Sequence, residues 1–304
     1  MMHLLLSTGD DFWSQIFNFD NYGELLFLVK NSILAGALLG IVGGLIGPFV
    51  MTRDLAFAVH GVSELSFAGA SAALLFGANV LAGSVVGSLA AAVLIGVLGV
   101  KARERNSIIA VLMPFGLGLG ILFLALYTGR GANKFGLLTG QIVSVDNPQL
   151  GLLLVVSVIV IVGLLVMWRP LTFASVDTDV ARARGVPVTT ISILFMVLLA
   201  LATAVAIQIV GALLVLALLV TPAAAAMRVT ASPLLTPLLS VVFAVVAMVG
   251  GILLAIGGGL PISPYVTTVS FLIYLVCRVI GWRRDRAGNN GRPAPSLPRN
   301  RIAS

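Results

Sequence analysis

Two ionisable side chains, His60 and Glu64, lie four positions apart in an apolar stretch of the chain, AVHGVSELSFAGA over 58–70. In a helix, positions i and i+4 share one face, so the two side chains would be neighbours. An ionised acid at the centre of a membrane span costs about 2.5–3.5 kcal/mol and therefore needs a partner or a wet cavity. The pair fits two interpretations, a mutually neutralising ion pair or a transient cation site on a transport pathway.

The two residue types suit a transition metal ion. Imidazole nitrogen and carboxylate oxygen bind zinc, manganese or ferrous iron. Two such ligands leave a tetrahedral zinc site incomplete, and a second copy of the chain across a two-fold axis would supply the other two. We therefore interpret His60 and Glu64 as a metal site from which bound metal can leave. The single cysteine, Cys277, excludes an intramolecular disulfide and any Cys-based zinc site, and we expect it to be buried as a small apolar residue.

The composition indicates an all-α polytopic membrane protein. Of the 304 residues, 59% are hydrophobic and 10% are charged, whereas soluble domains carry roughly a quarter charged residues. Apolar runs long enough to cross a bilayer recur along the chain, unlike the short alternating strands of a membrane barrel. They predict about nine transmembrane helices, or eight if one segment is re-entrant, over 32–51, 56–78, 80–100, 107–127, 150–168, 189–226 (divided near Gly211), 234–256 and 262–281.

Glycines recur at four-residue spacing within these spans. The pairs are Gly36 and Gly40, Gly43 and Gly47, and Gly83 and Gly87. Small residues at this spacing let helix backbones approach closely, so we interpret the pairs as ordinary helix packing.

The charge distribution predicts the orientation. The formal net charge is +7, and residues 278–304 alone carry seven arginines and one acid. Residues 282–304 are predicted to form a basic, disordered tail. Basic positions between spans fall on one side, which the positive-inside rule makes cytoplasmic together with the tail. Residues 1–31 then form an acidic surface segment outside, residues 32–281 form the transmembrane domain, and no nucleic-acid partner is needed to explain the basic pI.

The stretch RDLAFAVHGVSELSFAG resembles the motif R…GDALSHxxLPG of the membrane permeases of ATP-binding-cassette importers for manganese, zinc and iron. The resemblance covers about residues 25–281. Ser63 and Gly69 match the serine and the closing glycine of the motif. His60 takes the place of the aspartate and Glu64 that of the histidine, while Ala68 replaces the proline. One imidazole and one carboxylate are thus retained at the same spacing, which supports metal handling.

Three further stretches match the family in the same order. LLTGQIVSV over 137–145 resembles LLFGSILAV, and IVGALLVLALLVTPAAAA over 209–226 is similar to VVGALLVxALLIxPAATA. SVDTDVARARGVPV over 175–188 resembles SFDPELARALGVPV, the cytoplasmic coupling segment that docks into the ATPase. Several motifs in order are more specific than any one alone.

Physical reasoning also supports assigning residues 175–187 as the coupling segment. It is polar, lies between spans on the predicted cytoplasmic side, and ends in Gly185 and Pro187, which can stop a short helix. We expect Asp177, Asp179, Arg182 and Gly185 to form the coupling site. The alternative interpretation is a plain solvated loop.

The resemblance implies a type II ABC importer-like permease fold and import of a divalent transition metal, zinc or manganese, across the cytoplasmic (inner) membrane. The metal would be the substrate, with no permanently bound cofactor. The chain lacks a P-loop sequence, GxxxxGK[ST], so it would be no enzyme itself and would need a separate ABC ATPase subunit. An extracytoplasmic metal-binding protein and a second copy of the chain are the other implied partners.

Three other functions remain open from the sequence. A related permease for metal chelates, such as haem or siderophores, would not need the His–Glu pair. A secondary cation–proton antiporter could use Glu64 as a proton carrier and would work without an ATPase. A structural membrane protein would leave the pair unexplained.

Overall fold

The computed structural model describes residues 22–98, 102–129, 137, 145–256 and 262–289, and the regular secondary structure in these ranges is helical. The order along the chain is α1 (Tyr22–Leu28), α2 (Lys30–Thr52), α3 (Ala56–Leu75), α4 (Val80–Leu98), α5 (Ala102–Leu126), α6 (Asn147–Val176), α7 (Thr178–Ala183), α8 (Val188–Val210), α9 (Ala212–Val229), α10 (Leu235–Ile256) and α11 (Ile262–Asn289). The predicted all-α class is confirmed for this part of the chain.

Seven of the described helices are long and apolar enough to cross a membrane, which makes the chain a multi-pass membrane protein. They are α2, α3, α6, α8, α10, Asn106–Leu126 of α5 and Ile262–Arg284 of α11. Two shorter apolar helices, Val80–Gly96 and Leu214–Val229, lie at the positions of the other two predicted spans. The total of about nine spans stays a prediction.

The predicted division near Gly211 is confirmed. α8 ends at Val210 and α9 begins at Ala212, with Gly211 between them at φ 81°. This left-handed conformation is one that glycine adopts without steric penalty, whereas a Cβ would strain it. The Gly211 N–H still donates to Ile207 O at 2.9 Å, so the break leaves that amide satisfied.

Two helices extend further than predicted. α6 continues past the expected end at 168, through Pro170, to Val176. The hydroxyls of Thr172 and Ser175 donate to backbone carbonyls within the same helix, and Asp177 ends it. α11 continues to Asn289, so residues 282–289, expected in the disordered tail, are helical. Residues 290–304 of the predicted tail and residues 1–21 of the N-terminal segment lie outside the described ranges.

Glycines set the distances between the central helices, as the glycine pairs predicted. On α2, Gly40 faces α10, where an added Cβ would lie 2.9 Å from Val245 Cα. Gly47 faces α9, where a Cβ would collide with Leu219 O. Between α3 and α4, Gly83 and Gly87 meet the backbone of Gly69 and Leu65.

We expect Gly87→Ala to destabilise the protein, because the new methyl group would collide with the carbonyl oxygen of Leu65. Overpacking of this kind costs about 1–3 kcal/mol. The matched control is Gly118→Ala on α5, where nothing lies within 4 Å of an added Cβ. Thermal unfolding of the purified variants in detergent, followed by size-exclusion fluorescence, should show a lower midpoint for Gly87→Ala alone. Equal midpoints would contradict the assigned close contact.

Candidate functional site

Helix α3 brings His60 and Glu64 together, as their spacing predicted. Nε2 of His60 lies 3.7 Å from Oε1 of Glu64. The His60 side chain is 31% exposed, while that of Glu64 is 6% exposed. At 1.5 Å per residue, the two Cα atoms lie about 6 and 12 Å from the start of the helix. The pair therefore runs from a partly open surface into the interior of the helical bundle.

The contact between the two side chains leaves half of their polar atoms without a protein partner. Nδ1 of His60 and Oε2 of Glu64 are both buried, and neither atom makes a hydrogen bond to the described residues. Leaving a buried polar atom unpaired costs about 1–3 kcal/mol. A pair that served only to neutralise itself would gain from satisfying these atoms. One nitrogen and one oxygen of the pair thus have no hydrogen-bond partner in the described part of the chain.

A third polar group continues the stripe along α3. Ser71 follows Glu64 by seven residues, which places it on the same helix face, and its buried hydroxyl also has no partner in the described part of the chain. The flanking serines differ, because Ser63 Oγ donates to His60 O at 3.0 Å and Ser66 Oγ lies 2.7 Å from Ser84 Oγ. The unpartnered atoms thus form a line about 16 Å long on one face of the helix.

One chain contributes two metal-ligand side chains to this face. The described residues contain no group of three or more His, Cys, Asp and Glu side chains that could hold a metal ion. Cys277 is buried on α11, as predicted. A site with three or four ligands of these types therefore needs ligands from outside the described part of this chain.

The predicted coupling segment forms a short helix between two spans. Asp177 caps α7 by accepting from the backbone N–H groups of Asp179 and Val180 at 3.0 and 2.9 Å. Gly185, at φ 80°, ends the helix, and its N–H donates to Arg182 O. Arg182 and Asp179 form an exposed pair at 3.8 Å. Asp177 and Gly185 thus shape the segment, while Asp179 and Arg182 present charge on its surface.

Arg53 is a residue whose contacts the sequence did not reveal. Its guanidinium donates through Nη1 to Ser175 Oγ at 3.5 Å and through Nη2 to Ser192 Oγ. These serines flank α7 on either side. The only sequence signal was that an arginine leads the motif containing His60 and Glu64.

A model of the ABC 3 transport family matches residues 26–281. The chain belongs to the ABC 3 transport family. Members of this family are ABC-transporter permease subunits, which are not enzymes themselves. The family suggested by the sequence motifs is therefore confirmed.

Individual relatives agree with this assignment. The chain is 30% identical over 237 residues to the manganese transport system membrane protein MntC of Halalkalibacterium halodurans, covering 78% of this chain and 81% of the relative. It is 25% identical to the high-affinity zinc uptake system membrane protein ZnuB of Buchnera aphidicola subsp. Acyrthosiphon pisum, covering 81% and 95% of the two chains. The solved structure of PsaBC from Streptococcus pneumoniae in complex with Fab matches with a TM-score of 0.75 at 25% identity, covering 82% of this chain and 90% of that one.

The capping role of Asp177 can be tested on the coupling segment directly. Asp177→Ala removes an N-cap worth about 1 kcal/mol, which corresponds to about fivefold faster amide exchange in α7. Asp177→Asn is the matched control, because asparagine caps as well as aspartate does. Hydrogen–deuterium exchange of residues 178–183 should therefore rise in the alanine variant alone. Equal acceleration in both variants would assign the effect to the lost charge instead.

Proposed function

We propose that this chain is the permease subunit of an ABC importer that moves a divalent transition metal ion, manganese or zinc, across the cytoplasmic membrane. Family membership supports transport, and the relatives include proteins named for manganese and for zinc systems. The observation that carries the proposal is the unpartnered nitrogen and oxygen of His60 and Glu64 inside an apolar span. These are the donor atoms that such ions bind.

The metal site would be completed by a second copy of the chain. His60 is partly exposed, and Phe57, three residues earlier on the same face, is 65% exposed. Two α3 helices facing each other across a two-fold axis would bring together two imidazoles and two carboxylates. That set matches the four-coordinate preference of zinc and also suits manganese once water fills further positions.

The orientation follows from the basic end of the bundle. Arg53 and Arg182 lie at this end, and the Arg284 guanidinium donates to Val229 O there. The positive-inside rule makes this end cytoplasmic. The exposed charges of Asp179 and Arg182 on α7 would then face a separate ABC ATPase. An extracytoplasmic metal-binding protein would deliver the ion at the opposite end, and nucleotide-driven movement would change which side the pair faces.

Metal uptake tests the role of the pair. We would express the permease with its ATPase and binding protein in cells lacking their own importers and measure zinc-65 and manganese-54 uptake. We expect His60→Ala and Glu64→Ala each to lower uptake at least tenfold, with the preferred isotope identifying the substrate. Normal uptake in both variants would leave a structural ion pair and favour a chelate permease.

A double substitution separates a metal site from a structural pair. Replacing both members of a buried ion pair by apolar residues is often neutral for stability. The variant His60→Leu/Glu64→Leu should therefore assemble normally and yet lose uptake. The matched control, His60→Asp/Glu64→His, restores the aspartate–histidine order of the family motif and should retain uptake. Uptake by the double leucine variant would contradict a direct role in metal transfer.

The stoichiometry tests the shared site independently of transport. Purified permease incubated with zinc or manganese and passed through a desalting column should hold one ion per two chains. Metal analysis combined with light scattering measures both numbers on one sample. One ion per chain, or binding by a monomer, would contradict a site completed by a second copy.

A further inference from the structure

One side chain of the α2–α3 turn contacts the helices on either side of the coupling helix α7. Ser175 lies in the last turn of α6, two residues before Asp177, and Ser192 lies in the first two turns of α8. The Arg53 guanidinium donates to both hydroxyls, across 122 and 139 residues of sequence. Ser175 Oγ in turn donates to Leu171 O at 2.6 Å, which fixes it on α6. Arg53 therefore joins the two spans that lead into and out of α7.

Aromatic packing holds the same side chain in place. The guanidinium carbon lies 5.8 Å from the ring centre of Phe195, a fully buried residue on α8. Phe195 packs edge-on against Phe49 of α2 at 6.1 Å, and Phe49 packs against Trp168 of α6 at 5.0 Å. A planar guanidinium can stack on a ring while two separate nitrogens donate to different acceptors, whereas an ammonium group has no flat face and carries all its donors on one nitrogen. The identity of the residue therefore matters for this connection.

The other side of the turn leads directly to the candidate metal site. Only Arg53, Asp54 and Leu55 separate α2 from α3, and Asp54 adopts a φ of 52°. Leu55 N donates to Val50 O and Val59 N to Leu55 O, which ties the turn to both helices. α3 then runs without a break through His60 and Glu64. A displacement of the turn must move the first turns of α3 with it.

A cavity lies beside Arg53 and the coupling helix α7. It has a volume of about 200 Å³ and is lined by residues of α4, α7 and α8, among them Ile95, Arg182 and Ser192. Arg182 reaches it from the coupling segment, so α7 and Arg53 border the same space.

We propose that Arg53 is the positioning residue that transmits movement of the coupling helix α7 to the metal-bearing helix α3. This inference rests on the proposed function, because it needs an ATPase that moves α7. Movement of α7 shifts the ends of α6 and α8, and the two hydrogen bonds of Arg53 pass that shift to the α2–α3 turn. His60 and Glu64 follow as part of the rigid helix.

The test measures metal import and ATP hydrolysis together. It uses the complete permease–ATPase complex in proteoliposomes, supplied with its binding protein. We expect Arg53→Lys to keep at least half of the ATPase rate, while the number of metal ions imported per ATP falls at least tenfold. Arg169→Lys, on the exposed surface of α6, is the matched control and should leave the ratio unchanged. An unchanged ratio in Arg53→Lys, or a proportional loss of both activities, would overturn the inference.

The serine partners provide variants that spare the arginine. Ser175→Ala and Ser192→Ala should each lower the import ratio, and the double serine variant should match Arg53→Lys. Adding Arg53→Lys to that double variant should lower the ratio no further, because both act through the same contacts. Ser192→Thr keeps the hydroxyl, so unlike Ser192→Ala it should retain the wild-type import ratio. Additive losses would show that Arg53 acts by another route.

Hydrogen–deuterium exchange separates this inference from the proposed function. In the wild-type complex, nucleotide binding should change amide exchange over residues 56–64, and Arg53→Lys should abolish that change while Arg169→Lys keeps it. This readout needs no transported metal. A wild-type complex that moves neither isotope but shows the nucleotide effect would reject metal import and support the Arg53 link. A nucleotide effect that persists in Arg53→Lys would overturn the link.

Discussion

The close approach of the α3 backbone to α4 and α5 is the contact on which the rest of the site depends. Gly69 of α3 meets Gly83 of α4, Gly87 reaches Leu65 O, and Gly116 of α5 lies against the Glu64–Leu65 backbone. Inside a bilayer such packing replaces the hydrophobic drive that assembles soluble proteins. It buries Glu64, while the stripe of His60, Glu64 and Ser71 keeps polar atoms without a hydrogen-bond partner in the described part of the chain.

Buried hydroxyls extend this unit to α8. Ser66 Oγ of α3 donates to Ser84 O of α4, and Ser84 Oγ donates to Ala204 O of α8 at 3.0 Å. Hydrogen bonds between membrane helices contribute about 0.6–2 kcal/mol each, so they add to the packing without dominating it. α8 is thus attached to the α3–α4 pair in its C-terminal half, through Ala204, and to Arg53 near its start, through Ser192. It therefore contacts both the α3–α4 pair and the turn that precedes α3.

Local patterns predicted the features that depend on local chemistry. Gly211 was recognisable as a break because residues 189–226 exceed one span, and α7 was expected because Gly185 and Pro187 follow a short polar run. The His60–Glu64 contact followed from helix periodicity. The end of α6 did not, because the hydroxyls of Thr172 and Ser175 donate to carbonyls of the preceding turn, so these polar residues remain inside the helix instead of ending it. The Arg53 contacts join residues more than a hundred positions apart, which periodicity does not encode.

The incomplete site and the rigid packing of α3 together constrain how the proposed importer could release its ion. A zinc–nitrogen bond is about 2.0–2.1 Å long, so a shift of about 1 Å between facing ligands breaks coordination. Ligands divided between two copies can separate by that amount when the two α3 helices move apart. Within one copy, the glycine contacts prevent α3 from sliding alone, since its backbone lies against α4 and α5. In the proposed dimer, α3, α4 and α5 would therefore move as one body relative to the second copy. Release from the proposed site would then follow from a small displacement of a rigid unit rather than from the unfolding or rotation of α3.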